Sequence, residues 1–309
     1  MNTVDVLRTP EERFGSPPGF GYPPRYVEVP CGDGTGNLRV ACYEAGPADG
    51  PVVLCLHGEP TWSFLYRTVM QVLADAGCRA VAVDLVGFGR SDKPASAAEH
   101  RYARHVEWVR AAVFDGLGLR DITLVGQDWG GLIGLRLCAE HPAYFAGVVA
   151  ANTGLPTGDV DMPPVWWLFR RTVESAAKLD IGRLVRSGCQ RGLSDEAAAA
   201  YDAPFPAEEF KAGPRAMPSL VPTRPDDPAT EANREAWARL GRWTKPFLCA
   251  FSDGDPITGA MAPILARHVP GASGLAHPTL RGAGHFLQED AGEELGQIVA
   301  AFARGPAAG

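Results

Sequence analysis

The chain has 309 residues, 46% of them hydrophobic and 21% charged, with 36 acidic against 29 basic side chains and a formal net charge of -7. This length allows a large core and one main domain with an inserted subdomain, while the acidic balance offers no basic face to nucleic acid or anionic lipid. A small or neutral partner fits better than either.

The chain opens "MNTVDVLRTPEERFGSPPGFGYPP", with acids and prolines where a secretion signal needs a basic start and an apolar run, and no later stretch is long enough to span a bilayer. A soluble, cytoplasmic protein without a membrane partner is expected. Seven cysteines (Cys31, Cys42, Cys55, Cys78, Cys138, Cys189 and Cys249) form no C-x-x-C pair and mostly sit in apolar runs, as small buried hydrophobes do in a reducing compartment. Cys189, in "SGCQRG", is the one placed for exposure.

Eight β-type runs follow in order: "RYVEVP", "LRVACYEAG", "PVVLCLHG", "RAVAVDLVG", "DITLVGQD", "GVVAANTG", "KPFLCAFSDGD" and "HPTLRGAGH". Helical patterns lie between them, as in "SFLYRTVMQVLADAG" and "ARHVEWVRAAVFDGLGL". The third and sixth runs are apolar almost throughout, as strands covered on both faces are. The pattern predicts an α/β fold, a mostly parallel eight-stranded sheet opened by an antiparallel pair and flanked by helices. Between the sixth and seventh runs the rhythm changes to helical pieces ("WWLFRRTVESAAKL", "SDEAAAAYD", "ANREAWARLGRW") among proline-rich connections. The expected division is a main domain over 1–152 and 244–309 with a helical cap over 153–243.

Chemistry gathers at the strand ends, where open α/β sheets bind ligands. "GQDWG", Gly126 to Gly130, follows the fifth run and fits the G-x-S-x-G nucleophile elbow with Asp128 in place of serine. Asp255 follows the seventh run in "SDGDPITG" and His285 follows the eighth in "GAGHFLQED". The order acid nucleophile, second acid, histidine is that of the α/β-hydrolase triad. Asp253 competes with Asp255 for the acid, but Asp255 stands before proline, where the chain turns out of the strand. "HGEPTWS" after the third run is placed to supply the backbone N–H of Glu59 to an oxyanion hole, with the second N–H from Trp129.

A carboxylate at the elbow suits attack on saturated carbon. Serine would be left as an ether, which water does not cleave, whereas aspartate forms an ester that water activated by His285 hydrolyses, with Asp255 steadying the imidazole. Alkyl halides and epoxides are both open to such a nucleophile. An opening epoxide wants a proton donor, commonly tyrosine, and between Thr153 and Trp243 the only tyrosine is Tyr201. A departing halide wants N–H donors in a dry pocket, and Trp129, Trp166 and Trp167 offer indoles. Trp62, Trp108, Trp237 and Trp243 are read as structural. A catalytically silent binding protein on the same fold is disfavoured by the retention of all three triad residues.

Together "HGEPTWS", "DLVGFGRSDKP", "QDWGGLIGLR", "YDAPFP" and "GHFLQED" resemble the haloalkane dehalogenases of the α/β-hydrolase superfamily, from "DVLRTPEERF" to the end of the last helix. Glutamate in "HGEP" and an acid after the seventh strand resemble one branch of that family. "AANTGLP" after the sixth strand lacks the acid of the others. The resemblance implies Asp128 as nucleophile, His285 as base, Asp255 as acid, and Trp129 with one cap tryptophan, Trp167 in preference to Trp166, as halide donors. It implies a small apolar halogenated substrate, a halide product, no metal or organic cofactor, and a monomer or small homo-oligomer.

Overall fold

The computed structural model describes residues 4–32, 34 and 36–305. Seven strands form the main sheet: β1 (Arg25–Pro30), β2 (Asn37–Ala45), β3 (Val52–Leu56), β4 (Arg79–Val83), β5 (Ile122–Gln127), β6 (Phe145–Ala151) and β7 (Phe247–Cys249). Their order is β1-β2-β4-β3-β5-β6-β7. β2 pairs antiparallel with β1 and β4, and the other neighbours run parallel.

The eighth predicted run is present but short. Beyond Ala250 the seventh run continues as β8 (Phe251–Ser252), which pairs in parallel with β9 (Thr279–Leu280) as a separate two-stranded ladder. Another two-residue pair, Val6–Leu7 with Lys93–Pro94, ties the start of the chain to the main body.

The apolar runs explain the core. Every residue of β5 and all but the first of β3 are buried, as central parallel strands between helical layers must be. Helix α1 (Arg67–Asp75) packs on α9 (Leu287–Arg304), and α2 (Tyr102–Arg110) packs on α3 (Trp129–Glu140). At Gly296 a Cβ would stand 2.7 Å from Val72 Cβ, so the α1–α9 seam requires glycine's bare backbone. No described helix is long and apolar enough to cross a membrane.

Between β6 and β7 the chain forms α4 (Pro164–Ser175), α5 (Ile181–Ser187), α6 (Asp195–Asp202), α7 (Ala212–Leu220) and α8 (Thr230–Leu240). Ser194 caps α6 by accepting from the Ala197 N–H at 3.1 Å. Polar contacts fasten this insertion to the rest. Trp62 Nε1 donates to Ala200 O at 3.0 Å and Thr9 Oγ1 to Pro204 O at 2.6 Å. Arg67 forks onto Glu289 at 2.5 and 2.6 Å, and the Tyr201 hydroxyl donates to the same carboxylate. Trp62 also packs among Phe14, Phe20 and Phe64, a structural role as expected.

Candidate active site

Asp128 sits between β5 and α3 with φ 50° and ψ -127°, a backbone that L-residues seldom adopt. Two glycines make that turn possible. A Cβ at Gly130 would overlap the Leu56 carbonyl oxygen, and one at Gly58 would overlap the Asp128 carboxylate itself. The Asp128 N–H donates to Asn152 O at 3.0 Å and the Thr153 hydroxyl donates to Asp128 O at 2.8 Å, fixing the elbow against the end of β6.

The Glu59 N–H donates to Asp128 Oδ1 at 2.9 Å. Trp129 begins α3, so its backbone N–H belongs to the helix N-terminus, where no intrahelical acceptor is available. On the other side of the carboxylate, His285 Nε2 lies 3.6 Å from Asp128 Oδ2. His285 Nδ1 lies 3.1 Å from Asp255 Oδ2, an ion-pair separation in which the ring N–H is not aimed squarely at the oxygen. Asp255 is held by the Ile257 N–H at 2.9 Å, the Thr258 N–H at 3.2 Å and the Thr258 hydroxyl. Asp253 is exposed and accepts from Gly282 N at 2.8 Å, away from the histidine.

Charge reinforces this geometry. Burial works against a charged imidazole, but Asp255 and Asp128 outweigh it and push the His285 pKa up to about 10. Burial would raise the Asp255 carboxyl, yet His285 and the hydrogen bonds from Thr258 and Ile257 hold it down at about 2. The two acids on either side of the ring therefore favour the protonated form of His285.

Several positioning residues have no signature in the pattern. Asn152, at φ 38°, donates from Nδ2 to Ser252 Oγ at 2.8 Å, Gly284 O at 2.9 Å and His285 O at 3.1 Å, and accepts from Ser252 N at 2.9 Å. It ties the end of β6 to the histidine loop. Gln127 Nε2 stands 3.2 Å from both His285 Nε2 and His285 O. The Asp290 carboxylate accepts from the N–H groups of Gln190, Arg191 and Gly284 at 2.8, 2.7 and 2.7 Å, binding the insertion to the same loop. The one legible signal is Thr258, three residues after Asp255, the spacing of a local side-chain clamp.

Asp128 and His285 open onto a cavity of about 870 Å³ between the strand ends and the insertion. Its wall is largely apolar, with Leu132, Phe169, Val221 and Ile257 among the lining, and carries no lysine or arginine among the described residues. Trp129 and Trp166 are in that wall. Trp167, the expected cap donor, is not: Trp166 is buried in the cavity wall, while Trp167 is half-buried and meets Trp166 edge-on at 4.9 Å. The reason is rotational, since consecutive helical residues point about 100° apart. Trp237 also lines the cavity, but its Nε1 donates to Leu155 O at 2.7 Å and is already engaged.

Sheet order, strained elbow and carboxylate–histidine–carboxylate relay define an α/β-hydrolase, and the alpha/beta hydrolase fold family matches residues 51–292. The relatives narrow this. A haloalkane dehalogenase of Psychrobacter cryohalolentis is 47% identical over 97% of this chain and 98% of its own. One of Mycobacterium marinum is 48% identical over 96% and 99%. The tetrameric haloalkane dehalogenase structure from Paraglaciecola agarilytica superposes with a TM-score of 0.88 at 35% identity, covering 96% of this chain and 97% of that one. The chain belongs to the haloalkane dehalogenases.

Proposed function

We propose that hydrolytic dehalogenation proceeds here in two steps on Asp128. A haloalkane lies in the cavity with its carbon–halogen bond over the carboxylate. Asp128 attacks the saturated carbon, the carbon–halogen bond breaks, and the halide leaves with the electron pair toward the indole N–H groups of Trp129 and Trp166. Loss of the Asp128 charge to the ester lowers the basicity of His285, which sheds its proton and becomes a base. It then takes a proton from water, whose oxygen attacks the ester carbonyl while the N–H groups of Glu59 and Trp129 stabilise the oxyanion. The alkoxide departs with the proton from His285. The products are an alcohol, primary for a terminal halide, together with halide and one proton.

The observation that carries this reading is the placement of Asp128, with a backbone donor at 2.9 Å on one oxygen and the imidazole 3.6 Å from the other. The test is His285→Gln. Halide displacement should survive while the ester accumulates, so intact-mass spectrometry should find close to one alkyl group per chain on Asp128; sustained turnover without the adduct would refute the scheme.

Epoxide opening is not favoured. No tyrosine lines the cavity among the described residues, and the Tyr201 hydroxyl is turned to Glu289. The tetramer of the Paraglaciecola relative supports a small homo-oligomer over a monomer, which sedimentation would decide. A cytoplasmic location fits buried, unpaired thiols such as Cys55 and Cys138.

A further inference from the structure

Glu59 takes part in the two-step scheme only through its backbone, yet its side chain is the more unusual half of the residue. It is 4% exposed, it lines the cavity beside Asp128 and His285, and its Oε1 is buried without a hydrogen-bond partner. Buried acceptors are nearly always paired, so an orphan in the wall of a reaction cavity marks a place where something polar is received. Glu59 and Asp128 share this wall with the exposed Asp161, and no lysine or arginine among the described residues lines it to offset them. Burial and the Asp128 charge push the Glu59 carboxyl well above the usual carboxylate range, against a pull from His285. The proton therefore stays on Glu59, leaving a neutral acid with one O–H donor and a carbonyl acceptor.

We infer that Glu59 Oε1 accepts a hydrogen bond from the water that hydrolyses the alkyl–Asp128 ester and holds that water beside His285, an assignment that rests on Asp128 being the alkylated residue. One water hydrogen goes to His285 Nε2. The other is held by Glu59 Oε1 and stays on the oxygen, which bonds to the Asp128 acyl carbon as the acyl–alkoxy bond breaks. The alkoxide takes the proton from His285, the Asp128 carboxylic acid passes its own proton to His285 and returns to the carboxylate, the one proton released overall is that shed by His285 after alkylation, and Glu59 ends as it began. Neutrality matters in both steps. An anionic Glu59 would add a second negative charge where the halide must leave, and would keep His285 protonated when it must accept from water.

The experiment is rapid-quench mass spectrometry of the adduct on the full-length enzyme with a bromoalkane, comparing parent, Glu59→Gln and Glu59→Leu. Glutamine keeps a neutral carbonyl acceptor; leucine keeps the bulk and removes the acceptor. Adduct decay should slow by about tenfold or more in Glu59→Leu and by no more than about threefold in Glu59→Gln, with adduct formation affected less than decay in both. Decay at the parent rate in Glu59→Leu overturns the inference, as does decay in Glu59→Gln as slow as in Glu59→Leu. If Glu59→Leu does not fold, the pH profile of adduct decay decides: parent and Glu59→Gln should superimpose, and a limb present in the parent but missing in Glu59→Gln means that ionised Glu59 takes part and overturns it. Absence of alkyl mass on Asp128 in all of them sinks the nucleophile assignment, and this inference with it.

Discussion

At the scale of single residues, the two adjacent tryptophans Trp166 and Trp167 separate what chemistry predicts from what packing decides. Indole as a halide donor follows from residue type alone, but which of two neighbours faces the cavity depends on how α4 is rotated against the sheet, and no local pattern carries that angle. The structure puts Trp166 in the cavity wall and Trp167 against Trp166 and Arg170 outside it. An N–H directed at an anion is worth about 1.5–3 kcal/mol, so Trp166→Phe should weaken bromide binding roughly tenfold or more, while Trp167→Phe should change it by less than about threefold. Quenching of intrinsic fluorescence by bromide measures both, and the opposite ranking would return the second halide donor to Trp167.

Elements depend on where backbones touch, and the elbow between β5 and α3 is the tightest such place. Alanine at Gly130 would put its Cβ into the Leu56 carbonyl oxygen, a main-chain atom in the middle of the sheet that has no rotamer to change. Gly21 is a fair control, with nothing near its missing Cβ. Gly130→Ala should cost on the order of 3 kcal/mol or more in urea unfolding, or fail to fold, and Gly21→Ala should stay within about 0.5 kcal/mol. Equal stability of the two variants would mean that the strand and helix are not pressed together as described. The glycines of the elbow, the apolar runs of β3 and β6, and the strand ends bearing Asp128, Asp255 and His285 were all legible because each is a local requirement. Helix α7 was not: "GPRAMPSL" reads as a proline-rich connection, yet Pro214 falls in the first turn, where no N–H is missed, and Pro218 is carried close to the helix end by burial of its neighbours. Asn152 and Asp290 were illegible for a related reason. Asn152 reaches Ser252 and the histidine loop, and Asp290 reaches Gln190 and Arg191, across about 100 residues of sequence or more, so only the closed fold reveals what they join.

For the whole molecule, the buried ionisable groups set how stability responds to acid. His57, His100 and His105 are all at most 2% exposed, with His100 Nδ1 3.1 Å from His105 Nε2. Burial lowers all three, bringing His100 to about 4. A histidine whose folded pKa is depressed stabilises fully above its unfolded value near 6.5 and loses that contribution as pH falls toward the folded one. Glu59 works in the opposite sense, since its raised folded pKa makes the native state hold a proton that the unfolded chain gives up above about 4.5. His285 is silent below 6.5, because a raised histidine pKa costs stability only between its unfolded value and about 10, and Asp255, held at about 2, acts below the unfolded carboxylate range. Between about pH 6.5 and 4.5 the unfolded chain therefore gains up to three protons against one kept by Glu59. The net of roughly two corresponds to a loss of up to about 2.7 kcal/mol per pH unit at the steepest point. Urea midpoints should rise as pH falls from 7.5 to about 6.5, where native His285 and Glu59 hold protons the unfolded chain lacks, and then fall along that slope from 6.5 to 4.5, with His105→Gln reducing the fall by about one proton. A flat profile across this window would mean that the three histidines take up protons in the native state without resistance, and that the layer behind the active site is open to water.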